Sequence, residues 1–255
     1  MKISDFYLHS RRFGNIVGEL QKPSTLMQAY EIQKRNSLEL GVVLGWKLGA
    51  TTLNTQKLFS TQEMCYGAIY QPGVLPAGED LILPEKINHP VGEIEVCFRL
   101  SDRVKDMAEF DFQNRSIHAF IETVVPSIEL PWSSLPLPDA GLEVLVADSC
   151  ASGALIVGSE LQWQEEVEKL LAGPVILRDE HETLAKGVVE NILDGPLMAL
   201  TNFLKLSQQH NLALIPGQLV ATGGCTSCVK LPRGKSLYVE FEQLGEFSFS
   251  LENNR

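Results

Sequence analysis

The apolar positions of the chain follow two periods. Between residues 23 and 40, Leu26, Ala29, Tyr30, Ile32 and Leu38 recur at roughly helical spacing, and Ser24 or Thr25 stands where an N-cap belongs. From Val42 the texture changes, and residues 42–49 read as a strand running into a glycine-rich bend. A loop-rich stretch with Pro72, Pro76 and Pro84 leads to a second strand at residues 93–100. The spacing then predicts a helix over residues 112–125, stopped by Pro126. Short β-like runs follow at 153–157, 174–177, 219–222, 237–241 and 247–251. A clear helix spans 196–209, with Pro196 in the first turn, where its missing N–H costs least. Many short strands with a few helices among them predict an α+β fold: one domain built on a large mixed β-sheet or β-roll with flanking helices. Residues 1–40 read as an N-terminal helical region packed on a core formed by 41–255. Regular β-α alternation is missing, and so is any glycine-rich phosphate loop, which disfavours a nucleotide-binding fold.

Composition narrows the function classes. The 255 residues are 44% hydrophobic and 21% charged, which is globular rather than disordered. With 21 Lys+Arg against 32 Asp+Glu the net charge is −11, a poor match for nucleic acid or anionic lipid. No stretch approaches the roughly 18 to 20 apolar residues of a membrane helix. The first residues lack a signal-peptide pattern, so a cytoplasmic setting is expected. The five cysteines, an odd count, read as reduced thiols rather than a disulfide framework. A small-molecule partner is the expectation, and an anionic one would require a local positive charge.

Few segments offer that chemistry. In the strand at residues 91–100, alternation puts Ile94, Val96, Phe98 and Leu100 on one face and Glu93, Glu95, Cys97 and Arg99 on the other. The polar face is either the solvated side of an ordinary strand or one wall of a cavity. In a cavity, two carboxylates about 7 Å apart along the strand need a cation, and oxygen ligands suit a hard ion. Glu129 stands in an apolar extended stretch before Pro131. It is either a turn residue or a buried carboxylate with a partner cation. Lys47, the one charge in Gly45-Trp46-Lys47-Leu48-Gly49, either reaches water along a packed stem or is a desolvated ammonium facing an anion. Cys225 and Cys228 have redox or half-zinc spacing but no second pair. His118 and Glu122 read as an i, i+4 surface pair, and His181, between Glu180 and Glu182, as a solvated cluster.

The order of Gly45-Trp46-Lys47-Leu48-Gly49-Ala50-Thr51, Gln56, Tyr66-Gly67, Glu93-Ile94-Glu95, Ile128-Glu129, Ala147-Asp148-Ser149, Ser152-Gly153, Asp194-Gly195-Pro196-Leu197 and the run from Ile215 to Gly223 resembles the 2-oxopent-4-enoate hydratase / 4-oxalocrotonate decarboxylase family, within the fumarylacetoacetate hydrolase superfamily. The resemblance covers nearly the whole chain. It implies a catalytic domain like the C-terminal domain of that superfamily and a divalent ion, Mg²⁺ or Mn²⁺, held by Glu93, Glu95 and Glu129. It further implies Lys47 and Cys65 as the catalytic residues, and Gln56, Ser152 and Thr222 as substrate-binding residues. The implied activity is that of a lyase, a hydratase of 2-hydroxypenta-2,4-dienoate type on 2-oxo or 2-hydroxydienoate acids in aromatic catabolism. The alternatives are a 4-oxalocrotonate decarboxylase, an acylpyruvate hydrolase, or an altered member that binds a 2-oxo acid or supports a partner subunit. A homo-oligomer is also implied. Four positions depart from the pattern: Cys65 stands for an Asp, Ser149 for an Asn, Ala151 for a Ser and Gly224 for a Ser. The arginine of a Glu-Ile-Val-Asp-Ser-Arg stretch is replaced by Ser134.

Overall fold

A computed structural model describes residues 2–112 and 116–252. Its helices are α1 (Ile3–Phe13), α2 (Leu26–Leu40), α3 (Leu53–Leu58), α4 (Leu142–Ala147), α5 (Glu165–Glu168) and α6 (Gly195–Gln209). The strands are β1 (Val43–Gly49), β2 (Cys65–Tyr70), β3 (Val74–Pro76), β4 (Val91–Leu100), β5 (Ile121–Leu130), β6 (Ala154–Val157) and β7 (Leu161–Gln162). They continue as β8 (Pro174–Arg178), β9 (Thr183–Val188), β10 (Leu219–Gly224), β11 (Val229–Lys230), β12 (Ser236–Phe241) and β13 (Gly245–Ser250). Among the described residues they form two sheets. The larger runs β2-β1-β10-β4-β5-β6-β3, with β11 on β4 and β7 on β5, and the smaller runs β13-β12-β8-β9. Two pairings in the larger sheet, β1 with β10 and β3 with β6, are parallel, and the rest of its path is antiparallel. The mixed sheet and α+β class expected from the pattern are what the chain forms.

The alternation in β4 holds as read. Ile94, Val96, Phe98 and Leu100 are fully buried in the main core, which also takes Phe203 and Leu204 of α6. The Thr25 hydroxyl caps α2 by accepting the Gln28 N–H at 3.1 Å. Helices α1 and α2 build a second apolar cluster, in which Phe6, Tyr7, Ala29 and Ile32 meet Val144, Val146, Cys65 and Cys150. No helix among the described residues is long and apolar enough to cross a membrane.

One expected element is wrong. Instead of a helix over 112–125, only Ile117–Phe120 coils among the described residues there, as a 3₁₀ turn capped by the Ser116 hydroxyl, and β5 begins at Ile121. Residues 113–115 lie outside the described residues. The β-branched run Ile121, Thr123, Val124 and Val125 favours a strand over a helix. Pro126 does not end the segment but sits inside the strand opposite Val96. His118 consequently meets Glu168, at 3.3 Å, rather than Glu122.

The turn after α4 has unusual backbone. Ser149, Cys150 and Ala151 all have positive φ, at 52°, 51° and 55°, a conformation that L-residues rarely adopt in sequence. Packing against β2 holds it: a Cβ at Gly67 would lie 1.9 Å from the Ser149 carbonyl oxygen. Gly67→Ala therefore forces backbone apart. We expect it to lower stability by about 2–4 kcal/mol, read as a fall in the urea midpoint, whereas a cost under ~0.5 kcal/mol would mean the turn is not pinned there.

Candidate active site

Cross-strand register assembles the acidic group. Glu93 of β4 lies directly opposite Glu129 of β5, and Glu95 follows two residues along on the same face of β4. One carboxylate oxygen from each of Glu93, Glu95 and Glu129 lies within 4.8 Å of the others. Glu95 and Glu129 are almost wholly buried, and Glu93 is half-buried. Glu93 lines a cavity, while Glu95 and Glu129 are buried beside it, so none of the three stands on a solvated strand face or in an exposed turn. Lys47 arrives from β1, three strand positions from β5, yet its Nζ lies 3.1 Å from Glu129 Oε2. In a flat sheet three strand spacings are about 14 Å, beyond what one lysine and one glutamate side chain span, so the sheet must curl around this point.

Strand β10 runs between Lys47 and the glutamates and is shaped to clear them. Its register with β4 shifts between Ala221 and Gly224. Such a bulge re-aims the backbone, and the Gly223 N–H donates to Glu95 Oε2 at 2.8 Å. Gly223 has φ +118°, and a Cβ there would lie 1.8 Å from the Thr51 hydroxyl oxygen. A Cβ on Gly224 would lie 2.3 Å from Glu93 Oε2, so the glycine that replaces a serine leaves that carboxylate its room.

The electrostatics of the group are unbalanced. Glu95 Oε1 and Glu129 Oε1 are buried with no hydrogen-bond partner among the described residues. Burial, then the neighbouring Glu129, pushes Glu93 up to about 7 despite Lys47. Burial and the adjacent carboxylates hold Glu95 well above the usual range. Burial raises Glu129 too, against the pull of Lys47. For Lys47, burial alone would lower the ammonium, but Glu129 and Glu93 outweigh it and keep the lysine charged. Three converging carboxylates with one lysine and orphaned oxygens are what an added divalent cation would complete, and the all-oxygen donor set fits a hard ion.

This imbalance has a pH signature. A carboxyl whose folded pKa is raised takes up protons on folding, so its stabilising contribution is complete below its unfolded value and lost as pH rises through the folded one. For Glu93 that window runs from 4.5 to about 7. In chelator, the melting temperature is therefore expected to fall across this window relative to the protein with saturating divalent metal, a gap that opens with pH. A gap that is constant with pH would show that the carboxylates are not coupled to the ion.

A cavity of about 840 Å³ adjoins the group. Lys47, Glu93, Gly223 and Gly224 form one side, while Leu53, Leu58, Phe59, Leu145 and Leu193 supply an apolar wall. Among the described residues lining it, Lys47 is the single Lys or Arg. Cys150 and Ala151 of the left-handed turn also line it, and Cys228 stands on its rim.

The other expected site residues are placed differently. The Gln56 amide donates to the Ala50 and Gln62 carbonyls and ties a loop. The Thr222 hydroxyl is used within the sheet, donating to the Val96 carbonyl at 2.8 Å. Ser152 faces a separate, small cavity beside Arg11, Tyr70 and Lys86. None of the three lines the large cavity, and the reason in each case is that the polar group serves, or faces, another part of the fold. Cys65 is buried behind the cavity wall, with Cys150 donating a hydrogen bond to it at 3.4 Å. Cys225 is buried in the main core, away from exposed Cys228, so the two do not act as a pair. Sequence reasoning missed Cys150, which no motif marks. It also missed the buried ion pair of Arg11 with Asp148, at 3.6 Å, because nothing in α1 announces an inward arginine.

No family model matches the chain. It is 26% identical over 235 residues, 91% of its length and 89% of the relative's, to 4-oxalocrotonate decarboxylase of a Pseudomonas species. It is 24% identical over 230 residues, 90% of its length and 83% of the relative's, to 2-keto-4-pentenoate hydratase of Paraburkholderia xenovorans. Among solved structures, 4-oxalocrotonate decarboxylase from Pseudomonas putida G7, complexed with magnesium and adipate, superposes with a TM-score of 0.79 over 98% of this chain and 95% of that one, at 20% identity. Fumarylpyruvate hydrolase from Pseudomonas aeruginosa, in complex with Mn²⁺ and pyruvate, superposes at 0.59 over 82% of this chain and 89% of that one, at 12% identity. At those identities the likeness to the solved structures is one of fold.

Proposed function

From the premise that the chain is a homologue of the 4-oxalocrotonate decarboxylases and 2-keto-4-pentenoate hydratases, we propose that it is a metal-dependent hydro-lyase acting on a short 2-hydroxydienoate. Glu93, Glu95 and Glu129 would hold the divalent ion, Mg²⁺ or Mn²⁺. When bound, that ion supplies Lewis acidity for a 2-oxygen and an adjoining carboxylate. Lys47, paired with Glu129 at the cavity edge, orients the anionic end of the substrate and is placed to hold or deliver a proton there. The leucine-rich wall takes the hydrocarbon end of the substrate. The net change is addition of water across a carbon–carbon double bond, giving a 4-hydroxy-2-oxo acid.

The observation that favours a hydratase over a decarboxylase of a diacid is the single Lys or Arg lining the cavity. A second substrate carboxylate would meet the apolar wall with no cation to pair it. Purified protein with Mg²⁺ or Mn²⁺ should consume 2-hydroxypenta-2,4-dienoate, followed by loss of the dienol absorbance, and stop on chelation. Release of CO₂ from a 4-oxalocrotonate-type diacid at a comparable rate would overturn the assignment.

A second reading, a member that binds a 2-oxo acid without turnover, is favoured by Cys65 in place of an aspartate and by its position behind the cavity wall. Calorimetric binding of oxalate with no turnover of the dienoate, unchanged in Cys65→Asp, would establish it. We also place the protein in the cytoplasm as a homo-oligomer. Exposed Phe13, Val17, Leu38 and Val42 of the N-terminal region give a second copy apolar surface to cover.

A further inference from the structure

Cys65 and Cys150 come from different elements, β2 and the left-handed turn, yet their Sγ atoms stand 3.4 Å apart in hydrogen-bond contact. No other thiol pair among the described residues is in such contact: Cys97 meets the Ser127 hydroxyl, Cys225 is buried in the main core and Cys228 is exposed. The approach is built into the fold. Gly49 faces Cys65 across the β1–β2 ladder, and a Cβ there would lie 2.8 Å from Cys65 Sγ and 4.0 Å from Cys150 Sγ. Gly67 admits the turn that carries Cys150, and helices α1 and α2 back the pair with apolar side chains. Both thiols are buried, but Cys150 borders the cavity and Cys65 lies 3.4 Å behind it, so hydrogen peroxide entering the cavity has to pass the wall at Cys150 to meet Cys65.

We infer that Cys65 and Cys150 are a redox-active dithiol that closes to a disulfide when a small hydroperoxide enters the cavity. A disulfide requires sulfurs about 2.05 Å apart, so the two must approach by roughly 1.4 Å. The hydrogen bond from Cys150, opposed by burial and aided by Lys47, holds the Cys65 thiol below its ordinary range, which supplies the thiolate that attack requires. With hydrogen peroxide, the Cys65 thiolate attacks one oxygen and the O–O bond breaks; Cys65 becomes a sulfenic acid, and the other oxygen leaves as hydroxide, which takes up the proton released when Cys65 ionised and becomes water. Cys150 sulfur then displaces the sulfenic oxygen as a second water, its own proton going to that oxygen. Both thiols are oxidised by one electron each, and the peroxide is reduced by two. In a reducing cytoplasm such a bond is transient, reversed by thiol exchange, which suits a sensor rather than a structural staple. Closure would remove the Cys150-to-Cys65 hydrogen bond beside Lys47 and tie β2 to the cavity wall.

The test does not depend on turnover. The full chain, free of metal or loaded with it, is treated with a slight excess of hydrogen peroxide, alkylated, and digested without reduction. We expect a Cys65–Cys150 cross-linked peptide, lighter by two hydrogens than its parts. Thiol titration in denaturant should show loss of two of the five free cysteines, restored by dithiothreitol. Cys228→Ala should leave the cross-link unchanged, whereas Cys150→Ser should abolish it and leave Cys65 as a sulfenic acid trappable by dimedone. Five intact thiols, or oxidation confined to Cys228, or sulfinic acid at Cys65 with no cross-link, would overturn the inference.

Discussion

Glu95→Gln is expected to abolish metal-dependent turnover while leaving the metal-free fold at least as stable as the parent. Glu95 is fully buried, spends one oxygen on the Gly223 N–H and leaves the other without a partner. As a carboxylate beside two others it repels them, and as an amide it does not. Affinity for Mn²⁺ should fall by more than about 10²-fold, since even groups behind the ligands of metal sites are worth roughly 10–100-fold. With the Lewis acid gone, kcat/KM should fall by at least about 10³-fold, the equivalent of several kcal/mol. The decisive reading is in the melting curves. Without metal, the variant should melt at or above the parent's temperature, because a carboxyl whose ionisation is opposed by burial and by Glu129 and Glu93 has been replaced by a neutral amide. With saturating Mn²⁺, it should show none of the parent's upward shift. Turnover that stays metal-dependent and within tenfold of the parent would remove Glu95 from the site.

Lys47→Met should have the opposite combination of effects. The lysine is the cation nearest Glu129, at 3.1 Å, and its loss leaves that buried carboxylate uncompensated. Breaking a buried pair from one side costs about 3–5 kcal/mol, so the metal-free variant should be strongly destabilised at neutral pH. Divalent metal should rescue much of that loss. The same ammonium repels an incoming cation, so its removal should tighten Mn²⁺ binding even as activity drops by roughly 10²–10⁴-fold. A purely structural lysine would lose stability and activity together and leave metal affinity unchanged or weaker. Calorimetric titration of Mn²⁺ into parent and variant separates the two.

What the sequence made legible follows from the kind of physics involved. The apolar face of β4 was readable because period-two alternation is local, and the same alternation put Glu93 and Glu95 together. That Glu129 faces them was not readable from spacing, because the β4–β5 register depends on partners thirty-odd residues apart in the chain. Family order bridged that gap. The segment over 112–125 failed for a related reason, since a short apolar run with β-branched residues looks the same to a helical and a strand template until a sheet edge claims it. The substrate-binding roles expected for Gln56, Ser152 and Thr222 came from motif order alone. Motif order does not say which way a side chain points, and these three serve a loop, a second cavity and a sheet carbonyl. Cys150 illustrates the remaining blind spot: its significance lies wholly in what the fold brings to 3.4 Å of it.

The left-handed turn sets a limit on how this site can change over evolutionary time. Ser149, Cys150 and Ala151 occupy backbone that asparagine and glycine tolerate better than most residues do, and the related pattern has asparagine where Ser149 stands. With Gly67 holding the seat of the turn, substitutions at 150 and 151 can alter the chemistry of the cavity wall without moving it. The wall therefore acts as a fixed socket with exchangeable contents.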